Sequence, residues 1–189
     1  MELLKKIRLK IGNAILSKKI VRSKRRVHYS SFSKIKSIGI VWDASRPSEF
    51  ACLSRFHQRM QDMKIDLKIF GYFPGKNLPD QYTAIRYLTC IRRDEINIFY
   101  HPNSSDANSF INNPFDILID INFDKQVPLK YVASLSKAQF KIGLYDHETT
   151  ASPFDLMMEI RNPVDIEDYL NQVIHYLEMI KNKTKKTID

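Results

Sequence analysis

Apolar residues recur along this 189-residue chain with periods that change from block to block. Over 2–20, Leu4, Ile7, Ile11, Ala14 and Ile15 return at spacings of three and four, and Leu3 widens the stripe. That period predicts a helix. Gly12 falls in its middle, at a cost of about 1 kcal/mol relative to alanine. Residues 22–34 have no period and read as a linker. Ser37–Asp43 (SIGIVWD) is almost continuously apolar, as expected of a strand covered on both faces. A helix follows, with Pro47 at its start and Glu49 in its first turn. Phe50, Leu53, His57, Met60 and either Met63 or Lys64 trace one face of it. A second strand is predicted at 65–73, then a loop through Pro74, Gly75 and Pro79.

Residues 83–93 fit either period. Ile85, Tyr87 and Thr89 alternate as in a strand, whereas Ile85, Leu88 and Ile91 or Arg92 suit a helix; the strand is preferred. A short strand is expected at 96–100, then a polar loop at 102–114 with room for one helical turn. Further on, strands are predicted at 115–121, 140–145 and 154–160. A helix at 128–139 carries Leu129, Val132, Leu135 and Ala138 on one face. An amphipathic helix at 165–183 is capped by Asp165 and closed by Lys181, Lys183, Lys185 and Lys186.

Strands alternating with helices through short connections imply parallel pairing by crossover. The expected fold is α/β: a three-layer sandwich with a mainly parallel, Rossmann-like sheet at 35–189, preceded by a basic helix and linker at 1–34.

Charge sharpens that division. The chain carries +9, and Lys5, Lys6, Arg8, Lys10, Lys18, Lys19, Arg22, Lys24, Arg25 and Arg26 all precede residue 27, against one acid, Glu2. The first 26 residues therefore hold the whole net charge, and the remainder is neutral. A basic appendage attracts anionic surfaces, whereas the neutral domain does not. Cys52 and Cys90 sit in apolar runs without CxxC spacing, which fits small buried hydrophobes in a reducing cytoplasm. No apolar run reaches the ~18 residues of a membrane-spanning helix. A basic, acid-poor start also fits a transit peptide.

In open parallel sheets, ligands bind beyond the carboxyl ends of the strands. Those ends carry Asp43, Tyr72, His101, Asp120, Asn122, Asp124, Asp146, His147 and Glu148. Asp43, Asp120, Asp146 and His147 are the candidate catalytic groups, with Asp43 as general base. Asp43, Asp124, Asp146 and Glu148 are candidate ligands for a hard divalent cation; helix capping and turn solvation account for the same residues. Asp120 could instead hold the following loop by accepting backbone N–H groups. The five glycines form neither GxGxxG nor a P-loop, and the turn Trp42-Asp43-Ala44-Ser45-Arg46-Pro47 has none. That argues against the familiar modes of nucleotide binding, and no cofactor is expected.

Residues 115–146 contain Ile119-Asp120-Ile121, Leu135-Ser136-Lys137-Ala138 and Lys141-Ile142-Gly143. This run resembles the N-terminal domain of heptosyltransferase-like glycosyltransferases. The resemblance implies a Rossmann-like fold, with Asp43 near the acceptor-activating aspartate, although Trp42 replaces that family's glycine and its second domain has no counterpart. The whole chain also resembles a family of uncharacterised Bacteroidota proteins of similar length, sharing the basic helix and the SIGIVWD strand; that implies a bacterial cytoplasmic protein.

The expected function is a non-enzymatic interaction module. The ten basic residues would hold a neutral α/β domain at an anionic surface, either phospholipid at the inner membrane face or RNA, or present the helix to a protein partner. The competing expectation is an enzyme acting on a carbohydrate or a phosphorylated small molecule.

Overall fold

A computed structural model gives the architecture. It describes residues 2–29, 31–146, 152–159 and 165–180. Six parallel strands form one sheet: β1 (Ser37–Asp43), β2 (Asp66–Phe73), β3 (Leu88–Arg92), β4 (Ile117–Ile121), β5 (Phe140–Leu144) and β6 (Leu156–Met158). Their order is 3-2-1-4-5-6, that of a doubly wound sheet whose switch point lies between β1 and β4. In the central pair Val41 lies beside Asp120 and Trp42 beside Ile121.

Strand alternation sorts the core into two layers. Ile38, Ile40 and Trp42 face α2 (Phe50–Asp62) and α5 (Ile166–Met179), whereas Val41, Phe70 and Leu118 face α3 (Ser105–Asn112) and α4 (Val127–Leu135). Asp165 caps α5, accepting from the amides of Glu167 and Asp168. Lys181, Lys183, Lys185 and Lys186 lie outside the described residues.

Three expectations need correction. The 96–100 segment is not a strand but a turn closed by a lone bridge between Ile96 and Pro102. In the "loop" at 102–114, α3 runs for eight residues, because the Ser104 hydroxyl caps it at the Ala107 amide and Ala107, Phe110 and Ile111 are buried. Only the second half of 83–93 pairs in the sheet.

The largest difference lies at the N-terminus. Helix α1 (Glu2–Arg22) packs on the outside of α4 and fills part of a further layer. It does so with Gly12 and Leu16, not with the sequence-derived stripe. Gly12 permits the approach: a Cβ there would stand 2.6 Å from the Phe99 carbonyl oxygen and 3.3 Å from His101 Nε2. Leu16 is buried in the α3–α4 layer, and Lys19 Nζ donates to the Tyr131 hydroxyl at 2.6 Å. Almost the whole of α4 is buried because the sheet covers one face and α1 the other.

The predicted linker is also anchored. Arg25 holds Asp155 through both guanidinium nitrogens, at 2.7 and 2.8 Å, and donates to the Gln139 carbonyl at 3.1 Å. The Tyr29 hydroxyl donates to the Leu177 carbonyl.

Candidate functional site

The switch point, where an open α/β sheet ordinarily receives its ligand, is filled by the chain itself. Trp42 is fully buried, donates from Nε1 to Glu49 at 3.0 Å, and packs against Phe50 and Tyr82. Asp43 is nearly inaccessible: its Oδ1 accepts from the Ser45 amide and its Oδ2 from Gln126 Nε2. Above it, Arg46 spans the crevice to Asp124, with contacts of 2.6 to 3.0 Å. Asp43 thus ties the β1 turn to the start of α4, and Asp124 closes a lid-like ion pair.

One strand further along, the carboxyl edge opens. A cavity of about 260 Å³ lies between the ends of β4 and β5, the first turns of α4, and the Ser152–Phe154 segment. Phe123, Leu144 and Phe154 form apolar walls, and Asn13 of α1 reaches its lining. Asp120 and Asp146, two sequence candidates, line this cavity together. Lys125, in a left-handed backbone conformation (φ 54°), pairs with Asp146 at 3.2 Å. Lys130, exposed on α4, has no ion-pair partner among the described residues.

Asp120 differs from its neighbours. Oδ1 accepts from the Asn122 amide at 3.0 Å, as expected for a loop-holding aspartate, but Oδ2 meets no donor among the described residues. Burial raises its carboxyl to about 7, only partly offset by the Asn122 amide. On α5, burial first and the Asp120 charge second raise the Tyr169 hydroxyl well above its ordinary value, and that hydroxyl has no hydrogen-bond partner among the described residues.

The block Lys141-Ile142-Gly143 now has a local explanation. Lys141 is buried beneath α4 and donates to the Ala133 and Ser134 carbonyls at 2.8 and 2.9 Å, capping its C-terminal turn. Gly143 leaves the space that the Phe154 ring occupies.

Of the proposed cation ligands, Asp43, Asp124 and Asp146 are engaged in the separate contacts above, and no three acid, cysteine or histidine side chains converge among the described residues. His147 and Glu148 lie outside those residues. Tyr72 and His101 do not join the cavity lining; His101 lies beneath Gly12, its ring tilted against that of Tyr131. Cys52 and Cys90 are free thiols. Burial raises both, Cys90 to about 12, which leaves them unreactive. A smaller hollow of about 170 Å³ near Lys68, Arg86 and Tyr87 lies away from the carboxyl edge.

The model of a family of unknown function, DUF6913, matches residues 8–180. The chain belongs to that family. The match takes in α1 from Arg8 onward, so both docking residues, Gly12 and Leu16, fall within the DUF6913 region. No curated protein matches the chain.

A second candidate surface is the outer side of α1, which carries the sequence-derived apolar stripe. Ile7 and Ile11 lie roughly 140–180° around the helix from Leu16. They therefore face away from the domain, with Leu3 and Leu4 the most exposed of the stripe at 72% and 60%. Lys6, Lys10, Arg8 and Lys18 are exposed around them. No described helix is long and apolar enough to cross a membrane.

Proposed function

We propose that this protein is a non-enzymatic interaction module whose α1 helix holds the α/β domain at an anionic phospholipid surface, at the inner face of a bacterial cytoplasmic membrane. The observation that carries the reading is the outward apolar stripe of Leu3, Leu4, Ile7 and Ile11, bordered by exposed bases. A helix of this kind lies in the interfacial plane with its apolar side down. The four side chains, 42 to 72% exposed, retain about 1 kcal/mol each of unrealised burial. Each nearby Lys or Arg adds about 1 kcal/mol at an anionic leaflet. Phospholipid is favoured over RNA because the stripe has no use on a phosphate backbone, and because Arg25 is spent on Asp155.

Deleting α1 would be a poor test, since it removes Leu16 from the core and uncovers Tyr131. Paired Ile7→Asp and Ile11→Asp substitutions leave the docked face intact. The full chain should co-sediment with phosphatidylglycerol vesicles, weakly with phosphatidylcholine vesicles, and the double variant should bind the former at least about tenfold less tightly. Equal binding by the variant, or preference for poly(U) RNA over lipid, would refute the reading.

A further inference from the structure

The cavity between β4 and β5 is not used by the α1 surface, and its chemistry is lopsided. Among the described residues, a carboxylate with one oxygen not hydrogen-bonded lies at the sheet end, and a cation without an ion-pair partner lies on α4. Between them the lining is apolar: Phe123, Val127, Leu144 and Phe154. The other charged pair, Lys125 and Asp146, is internally balanced.

We propose that this cavity binds a small dipolar molecule, with a hydroxyl or ammonium donor against Asp120 and an anionic phosphate or carboxylate against Lys130. Three features support it. The volume, about 260 Å³, falls just below the ~300–1,000 Å³ of sites for drug-sized ligands, which suits a small metabolite. Asp120 is half-buried in the lining and accepts one hydrogen bond, from the Asn122 amide, so its carboxylate has room to accept a second from a ligand in the cavity. Lys130, also in the lining, is exposed and has no ion-pair partner among the described residues. Occupancy by a donor would also favour the ionised carboxylate and lower the Asp120 pKa from about 7.

The two donor types can be separated with the full chain in vesicle-free buffer, which keeps the outcome independent of membrane binding. Glucose 6-phosphate carries hydroxyls and a phosphate; leucine carries an ammonium, a carboxylate and an apolar body. Glucose and inorganic phosphate each lack one end. Calorimetric titration and saturation-transfer NMR should show one two-ended probe binding more tightly than either one-ended probe. Asp120→Asn should weaken it at least tenfold and Lys130→Gln at least threefold. Ala133→Leu, which fills part of the cavity, should abolish it and serves if Asp120→Asn does not fold. Binding of neither two-ended probe, equal binding of inorganic phosphate, or binding that survives Asp120→Asn or Ala133→Leu would overturn the proposal.

Discussion

Substituting Gly12 by alanine discriminates a docked α1 from a free tether by the sign of its effect. In a solvated helix the change stabilises by about 1 kcal/mol, because glycine is the poorer helix former. In the docked helix the new methyl stands 2.6 Å from the Phe99 carbonyl oxygen. That atom is backbone and cannot rotate aside. Restoring ordinary van der Waals distance moves α1 outward by about 0.8 Å. A gap of that size forfeits roughly a quarter to a half of a contact's dispersion energy. Leu16, 3% exposed, stands to lose about 1 kcal/mol of the ~1.5–3 kcal/mol its burial provides. Stretching the Lys19–Tyr131 hydrogen bond costs about 0.5–1.5 kcal/mol more, and the His101–Tyr131 ring contact loosens with it. The net expectation is destabilisation by about 1 kcal/mol, with faster amide exchange across 9–22. Urea denaturation and hydrogen exchange measure both. Ser17→Ala, on the exposed side, is the control and should change stability by less than about 0.5 kcal/mol. A Gly12→Ala protein that gains about 1 kcal/mol, with unchanged exchange, would refute the docking of α1.

Other consequences follow from particular contacts. Arg25→Ala removes a bidentate ion pair and carbonyl contacts and should cost about 2 kcal/mol in denaturant unfolding, whereas Arg26→Ala, exposed, should change it by less than about 0.5 kcal/mol. His101 is held below its ordinary 6.5, first by burial and then by Lys19, so the unfolded chain binds its proton more readily. Its contribution is present above pH 6.5 and lost as the pH falls; His101→Phe, which keeps the ring contact with Tyr131, should flatten that limb of a stability–pH profile. Asp120 works in the opposite direction. Its carboxyl is raised from 3.8 to about 7, so stability falls as the pH rises between those values. Asp120→Asn should therefore gain about 2–4 kcal/mol at pH 8 relative to its effect at pH 4, with Asn still accepting from the Asn122 amide. A flat difference between variant and wild type would refute that assignment.

The strands were legible because burial on both faces leaves a continuous apolar run, and β1, β4 and β5 begin and end within two residues of the pattern. Helix α3 was not, since SDANSFIN has only three apolar residues; the signal was Ser104 placed to cap a short amphipathic turn. The docking side of α1 was not legible, because periodicity reports an apolar stripe but not which side of the helix is covered. Gly12 counted as a defect in a helix considered alone, yet it is the contact point once a second element approaches. The neighbouring evidence lay in VPLKYVASL, apolar nearly all round, which requires cover on its outer face as well as from the sheet. Among the site candidates, Asp120 and Asp146 could be placed at strand ends, but their shared cavity depends on Phe154, which sits where it does because residue 143 is glycine.

Asp43 and Asp120 show why strand-end position alone does not identify a site. Both end parallel strands flanking the switch point, and both accept from the amide two residues on, the same local turn device. Their second oxygens differ. Asp43 Oδ2 receives Gln126 Nε2, and the Arg46–Asp124 pair closes the crevice overhead. Both Asp43 oxygens and the Arg46–Asp124 pair at the switch point are thereby matched within the chain. Asp120 Oδ2 has no such partner among the described residues, and Phe123, Leu144 and Phe154 line the cavity with it. If holding the loop were its whole task, an asparagine would accept the same Asn122 amide without a buried charge. A carboxylate retained at a stability cost is the pattern expected where binding, not folding, sets the residue. The open chemistry of this α/β edge therefore lies one strand away from where the topology alone would put it.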